Sequence, residues 1–324
     1  MAMRCTAFTC RHLAPPICLL RPLFYSPAPA VAPSAPIAHS PLFLSSQLRV
    51  HHPHFDISQL ARTQRQRFIT TRAASRKDSF RSPTMALLLE KLQIQRNGDA
   101  KDVFDVYVVG DEKAPGVVVV QEWWGVDFEI KNHAMTIAQK GYRALIPDLY
   151  RGKVGLDAAE AQHLMEGLDW PGAVADIAAS AKWLKEHGSP KVGVVGFCMG
   201  GALSIASAVR VPEIDAAVAF YGIPPPELAD PTQAKAPVQA HFGQNDKLKG
   251  FSDAESAKAL EKQLQKSGVP SEVYIYPNVS HAFMNSSPEG VERKIETGFG
   301  EHHQEVVDKA WSHFDAWFGK YLKA

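Results

Sequence analysis

The chain has 324 residues, 45% of them hydrophobic and 21% charged, and no run of 18 apolar residues. That composition excludes a wholly disordered chain, a collagen and a membrane-spanning helix. The net charge of +1 conceals a division: residues 1–84 hold eleven basic and two acidic residues, which leaves 24 basic and 32 acidic residues after them.

Residues 1–84 also carry ten of the 23 prolines among many Ala and Ser, as in Ser26-Pro27-Ala28-Pro29-Ala30. No apolar period of two or 3.6 persists there, so this stretch is expected to be disordered. Its Arg-rich, acid-poor composition is that of an organelle transit peptide. A secretory signal fits poorly, because the apolar patch at Ile17–Leu20 is interrupted by Pro15, Pro16, Arg21 and Pro22. The stretch Thr71-Arg72-Ala73-Ala74-Ser75 resembles a plastid-type cleavage region, so plastid is the expected location and mitochondrion the alternative. Translation from Met85 would give an untargeted, cytosolic form. Cys5, Cys10 and Cys18 fall in this leader, leaving Cys198 as the single cysteine of the remainder. An intradomain disulfide or a multi-cysteine metal site is thereby excluded.

From Lys101 onward, Val/Ile-rich runs alternate with amphipathic stretches, the pattern of a mostly parallel sheet covered by helices on both faces. In chain order, strands are predicted at Val103–Val109, Val117–Val120, Ala144–Ile146, Val192–Val195, Ala216–Phe220, Val238–Phe242 and Val273–Tyr276. Helices are predicted near Phe128–Lys140, Ala158–Met165, Ala173–Glu186, Ala202–Val209, Ser252–Lys266 and Glu301–Tyr321. Gly141 and Gly188 stand where helix stops belong. Nothing marks a linker, so residues 85–324 read as one α/β domain.

The hexapeptide Gly196-Phe197-Cys198-Met199-Gly200-Gly201 follows a predicted strand and opens a predicted helix. That is the setting of a nucleophile elbow, with Cys198 in place of the commoner serine. The elbow would hold Cys198 in a strained conformation, its sulfur in the crevice and the Met199 amide aimed at a developing oxyanion. A helix N-terminus favours the charged form of such a sulfur. A Gly-rich turn with an inert buried cysteine is the simpler alternative, and context decides against it. Asp246 lies just past the strand Val238–Phe242 and His281 just past Val273–Tyr276. Nucleophile, acid and base therefore come in the order that α/β-hydrolases use, each at a strand's carboxyl end. Asp253 and Glu255 are weaker candidates for the acid, because they fall inside a helical pattern.

On these residues, together with Val120-Gln121-Glu122-Trp123-Trp124-Gly125, Pro147-Asp148-Leu149-Tyr150, Tyr221-Gly222 and His281-Ala282-Phe283, the chain resembles the dienelactone hydrolase (carboxymethylenebutenolidase) family of the α/β-hydrolase fold. The resemblance runs over about residues 87–322. It implies Cys198 as nucleophile, His281 as base and acid, and Asp246 as the group orienting His281. It further implies that Glu122 governs when the thiolate forms and that the Trp123 amide joins Met199 in the oxyanion hole. By itself Glu122 reads as an exposed carboxylate at the sheet edge, and Trp124 as core or pocket wall. The two arginines with which bacterial relatives bind the dienelactone carboxylate fall at Asn285 and near Ala158, neither of them charged. A small lactone or ester other than dienelactone is therefore the expected substrate.

No dinucleotide or Walker fingerprint occurs, so no cofactor is expected, and no metal-ligand cluster stands out. His302-His303 reads as a solvated pair on the last helix. An acidic domain gives no attraction to nucleic-acid phosphates, and no membrane association is expected. A monomer or weak homodimer acting on a small molecule is the expectation. A non-catalytic, redox-sensing protein built around Cys198 is the alternative.

Overall fold

The computed structural model describes residues 88–96 and 102–324; the expected leader, residues 1–84, lies outside them. In chain order the elements are β1 (Glu90–Gln95), β2 (Val103–Val109), β3 (Gly116–Val120), α1 (Phe128–Gln139), β4 (Arg143–Pro147), α2 (Ala158–Glu166), α3 (Trp170–Glu186) and β5 (Val192–Phe197). They continue as α4 (Met199–Arg210), β6 (Ala216–Phe220), β7 (Val238–Gly243), α5 (Ala254–Ser267), β8 (Ser271–Tyr276), α6 (Pro288–Glu296) and α7 (Gln304–Leu322). The strands form one sheet in the order β1-β2-β4-β3-β5-β6-β7-β8. β1 and β2 join it antiparallel, and from β4 to β8 every pairing is parallel.

Central strands β3, β4, β5, β6 and β7 are buried at every residue, as strands covered on both faces must be. Side-chain alternation divides their apolar residues between two cores. Val118, Val120, Val192 and Val194 pack with Ile177 of α3, Leu203 of α4 and Leu260 of α5. Val117, Val119, Val195 and Phe197 pack on the other face with Ile130 and Ile137 of α1 and Phe314 and Phe318 of α7.

Two elements escape the periodicity reading. β1, Glu90-Lys91-Leu92-Gln93-Ile94-Gln95, is an edge strand that buries only Ile94 fully, so its pattern is set by pairing with β2 rather than by apolar content. α6 is mostly polar, but its start signal is legible: Ser287 caps the Gly290 amide, Pro288 stands at the first turn and Glu289 follows. Two finer readings also need correction. Asp253 is not inside α5 but caps it, accepting from the Glu255 and Ser256 amides. His302 and His303 precede α7 rather than ride on it, with His303 at its N-cap.

The crossing from β5 into α4 is the tightest place in the fold. Cys198 has φ 53° and ψ −118°, a region that side chains rarely adopt. Beside it, a Cβ on Gly196 would strike the Gly200 carbonyl, and one on Gly222 would strike the Cys198 carbonyl. Both obstacles are backbone and cannot rotate away. Gly196→Ala is therefore expected to destabilise the protein by about 3 kcal/mol, the upper end of ordinary overpacking costs, as measured by urea unfolding.

Candidate active site

Five strands end at the same edge of the sheet and each delivers one polar group. Glu122 follows β3, Cys198 follows β5, Tyr221 follows β6, Asp246 follows β7 and His281 follows β8. Backbone strain gathers here as well: Cys198, Tyr221 and Ala282 all have positive φ, at 53°, 40° and 54°.

His281 is 2% exposed, and its Nδ1 lies 2.8 Å from the Asp246 Oδ2. Asp246 is fixed in turn by the Leu248 amide, which donates to its other oxygen at 3.0 Å. The Ser252 hydroxyl, fully buried, stands 3.1 Å from the same Nδ1 and gives the ring a second anchor. Tyr221, Phe299 and Phe251 surround the imidazole, with ring centroids at 5.0, 4.9 and 6.2 Å. The far nitrogen, Nε2, is buried and bonded to no described group. Burial works against the charged ring, but the charge of the Cys198 sulfur and the bond to Asp246 outweigh it and raise His281 to about 10.

Met199 is the first residue of α4, so its amide has no partner within the helix. No turn or loop hydrogen bond among the described residues engages the amide of Met199 or Trp123. Trp124 is core: it is 6% exposed, stacked edge-on with Trp123, and carries the Arg293 guanidinium 4.6 Å from its ring centre.

Glu122 departs from the sequence reading. It is not exposed but buried, because its two oxygens accept from Tyr221 Oη at 3.1 Å and from Asn285 Nδ2 at 3.1 Å. Burial pushes its carboxyl up to about 7, against the pull of those two hydrogen bonds and of the nearby His281. Tyr221 and Ser252 received no role from spacing: Tyr221 entered only as part of the matched Tyr221-Gly222 pair, and Ser252 belongs to no motif. The positive φ at Tyr221 appears only once the chain is folded.

Residues 104–322 match the dienelactone hydrolase family. The chain belongs to that family. It is 37% identical over 189 residues to the protein usf of Aquifex pyrophilus, an overlap of 55% of this chain and 80% of that one. A protein of Aquifex aeolicus, provisionally described as a carboxymethylenebutenolidase, is 31% identical over 189 residues, again 55% of this chain and 80% of the relative. The solved structure of a provisionally described dienelactone hydrolase from Klebsiella pneumoniae has a TM-score of 0.61 and 25% identity. That match covers 73% of this chain and 100% of the other. Like the family, the chain is an ester-bond hydrolase with a mostly parallel α/β-hydrolase sheet.

Within this family fold, the two positions read as uncharged are so: Asn285 is spent on Glu122, and Ala158 opens α2 behind its cap Asp157. Because Asp246 is one of the groups holding the proton on His281, Asp246→Asn should lower the imidazole midpoint by about one unit or more. NMR titration of the ring resonances reads this directly, and an unmoved midpoint would contradict the electrostatics described.

Proposed function

We propose that the protein hydrolyses small, uncharged lactones or esters through a covalent thioester on Cys198. The observation that carries this reading is the 2.8 Å bond from His281 Nδ1 to Asp246, which leaves a buried, unbonded Nε2 for the sulfur at the elbow. The Cys198 thiolate adds to the acyl carbon, and the Met199 and Trp123 amides receive the oxyanion. The carbon–oxygen bond then breaks as His281 protonates the leaving alkoxide. His281 next takes a proton from water, the hydroxide cleaves the thioester, and the free acid leaves with the thiolate restored. Glu122, as a carboxylate, stabilises the His281 imidazolium and so the transfer that produces the thiolate. Protonated, it withdraws that support.

A small uncharged substrate follows from the neutral Asn285 and Ala158, which offer no bidentate partner for a carboxylate. A redox-sensing role would need Cys198 alone and leaves the His281–Asp246 pair without a purpose. Turnover of aryl esters and lactones by wild type and His281→Ala separates the two. Loss of nearly all turnover supports the hydrolase, and equal turnover refutes it.

Stoichiometric alkylation of Cys198 should abolish activity, while serine-directed reagents should leave it nearly intact. Full activity after alkylation confirmed by mass spectrometry would end the covalent-cysteine mechanism.

The pH dependence has two limbs with opposite signs. Since Glu122 is needed as carboxylate, kcat/KM should rise with pH through about 7, where burial has moved that group. Since His281 is needed as imidazolium, kcat/KM should fall as pH climbs through about 10. A profile flat between 6 and 8 would contradict the role given to Glu122 (the limits being about one unit either side of its midpoint).

The organelle assignment rests on the basic, acid-poor leader. Residues 1–84 fused to a fluorescent passenger should enter plastids, and a chain starting at Met85 should stay in the cytosol. Cytosolic fluorescence from both would refute the assignment.

A further inference from the structure

The segment that leads into α6 holds two buried glutamates, Glu122 through Asn285 and Glu129 through Ser286 and Ser287, and α6 itself carries a charged group with no partner among the described residues. Lys294 on α6 is only 2% exposed, and its Nζ makes no hydrogen bond to any described group. Lysine is rarely so deeply buried unless paired, since an ammonium removed from water must be compensated by nearby charge. Its neighbour Arg293 shows the ordinary solution, an ion pair with Asp127 at 2.7 Å.

The register of α6 supplies the direction in which Lys294 points. Gly290 lies one turn earlier on the same helix face, and a Cβ there would come within 2.5 Å of the Glu129 Oε2. Glu129 in turn holds the start of α6, accepting from the Ser286 amide at 2.8 Å and from the Ser287 amide at 3.2 Å. The face that carries Lys294 therefore looks toward Glu129 of α1, and Glu122 is held by Asn285, the residue next to the Ser286 that Glu129 holds. The same helix end also reaches the catalytic edge: the Lys294 carbonyl accepts from the Phe299 amide at 2.9 Å, and the Phe299 ring packs 4.9 Å from His281.

We propose that Lys294 is the counter-charge that keeps Glu122 available as a carboxylate, a positioning residue acting through space from α6. The proposal deepens the reading of Glu122 given above and rests on it for its catalytic consequence. Burial pulls the Lys294 amine down, and the charges of Glu129 and then Glu122 oppose that fall. The other ionisable groups facing this cluster are accounted for. Asp127 is paired with Arg293, while His133 lies 4.0 Å from Glu129 and is driven down to about 4 by burial, which leaves it neutral. Tyr221 stays protonated, its hydroxyl proton directed at Glu122. His281 also supplies positive charge to Glu122. Among the described residues Lys294 is the cation of this cluster with no partner of its own.

The test reads the Glu122 carboxyl directly, by carbon NMR titration of glutamate side chains, with the Glu122→Gln variant identifying its resonance. In Lys294→Met the midpoint should rise by about 0.5–1 pH unit, the effect of removing one partly screened charge across a buried site. Lys294→Arg should restore it, which a loss of packing alone would not do. Lys294→Gln serves as a second uncharged variant if the methionine fits badly. In the same variants the acidic limb of kcat/KM should move upward by the same amount. A Glu122 midpoint unchanged in folded Lys294→Met or Lys294→Gln overturns the proposal. A midpoint that moves while the kinetic limb stays fixed upholds the proposal and removes Glu122 from the mechanism.

Discussion

The turn at Cys198 is the constraint on which the rest of the site depends. A fully buried central strand ends, and one residue with φ 53° turns the chain into α4. That geometry leaves no room for side chains at Gly196 and Gly222, where carbonyls of neighbouring turns pass too close. It also fixes three things at once: the sulfur stands at the sheet's carboxyl edge, the helix N-terminus lies beneath it, and the Met199 amide is left without a helical partner. The register of the parallel strands then brings the turns after β3, β6, β7 and β8 around that one point.

Around the elbow the protein handles buried charge in two ways. The Asp246–His281 pair is compensated on both sides: the Leu248 amide donates to Asp246, and the Ser252 hydroxyl oxygen stands within hydrogen-bond reach of the same ring nitrogen. The hydrogen-bond donors to Glu122, Tyr221 and Asn285, are neutral and insufficient to hold its carboxyl at the ordinary value. A hydrogen bond from an amide or phenol offsets part of the cost of burial but supplies no net charge. That difference leaves Glu122 able to change its protonation state near neutrality.

Much of this was legible along the chain. Seven strands, the elbow, and the order Cys198, Asp246, His281 follow from local apolar runs and from glycines whose positions only a tight turn explains. β1 was hidden because an edge strand needs only one apolar side chain in the core, which leaves too short a pattern to recognise. α6 was hidden because its buried residues include a glycine and a lysine, neither of which reads as apolar.

The sequence by itself determined the mostly parallel architecture, the tight turn at Cys198 and the placement of Asp246 and His281 just past successive strands, since each is written in neighbouring residues or in chain order. Only the tertiary structure decided that Glu122 is buried rather than exposed, that Ser252 shares the His281 nitrogen, and that Asn285, 163 residues away, completes the Glu122 pair. It alone turned Lys294 inward. The reason is physical: the ionisation of a carboxylate is set by the dielectric and the charges within a few ångströms, and those neighbours come from strands and helices far apart in the chain.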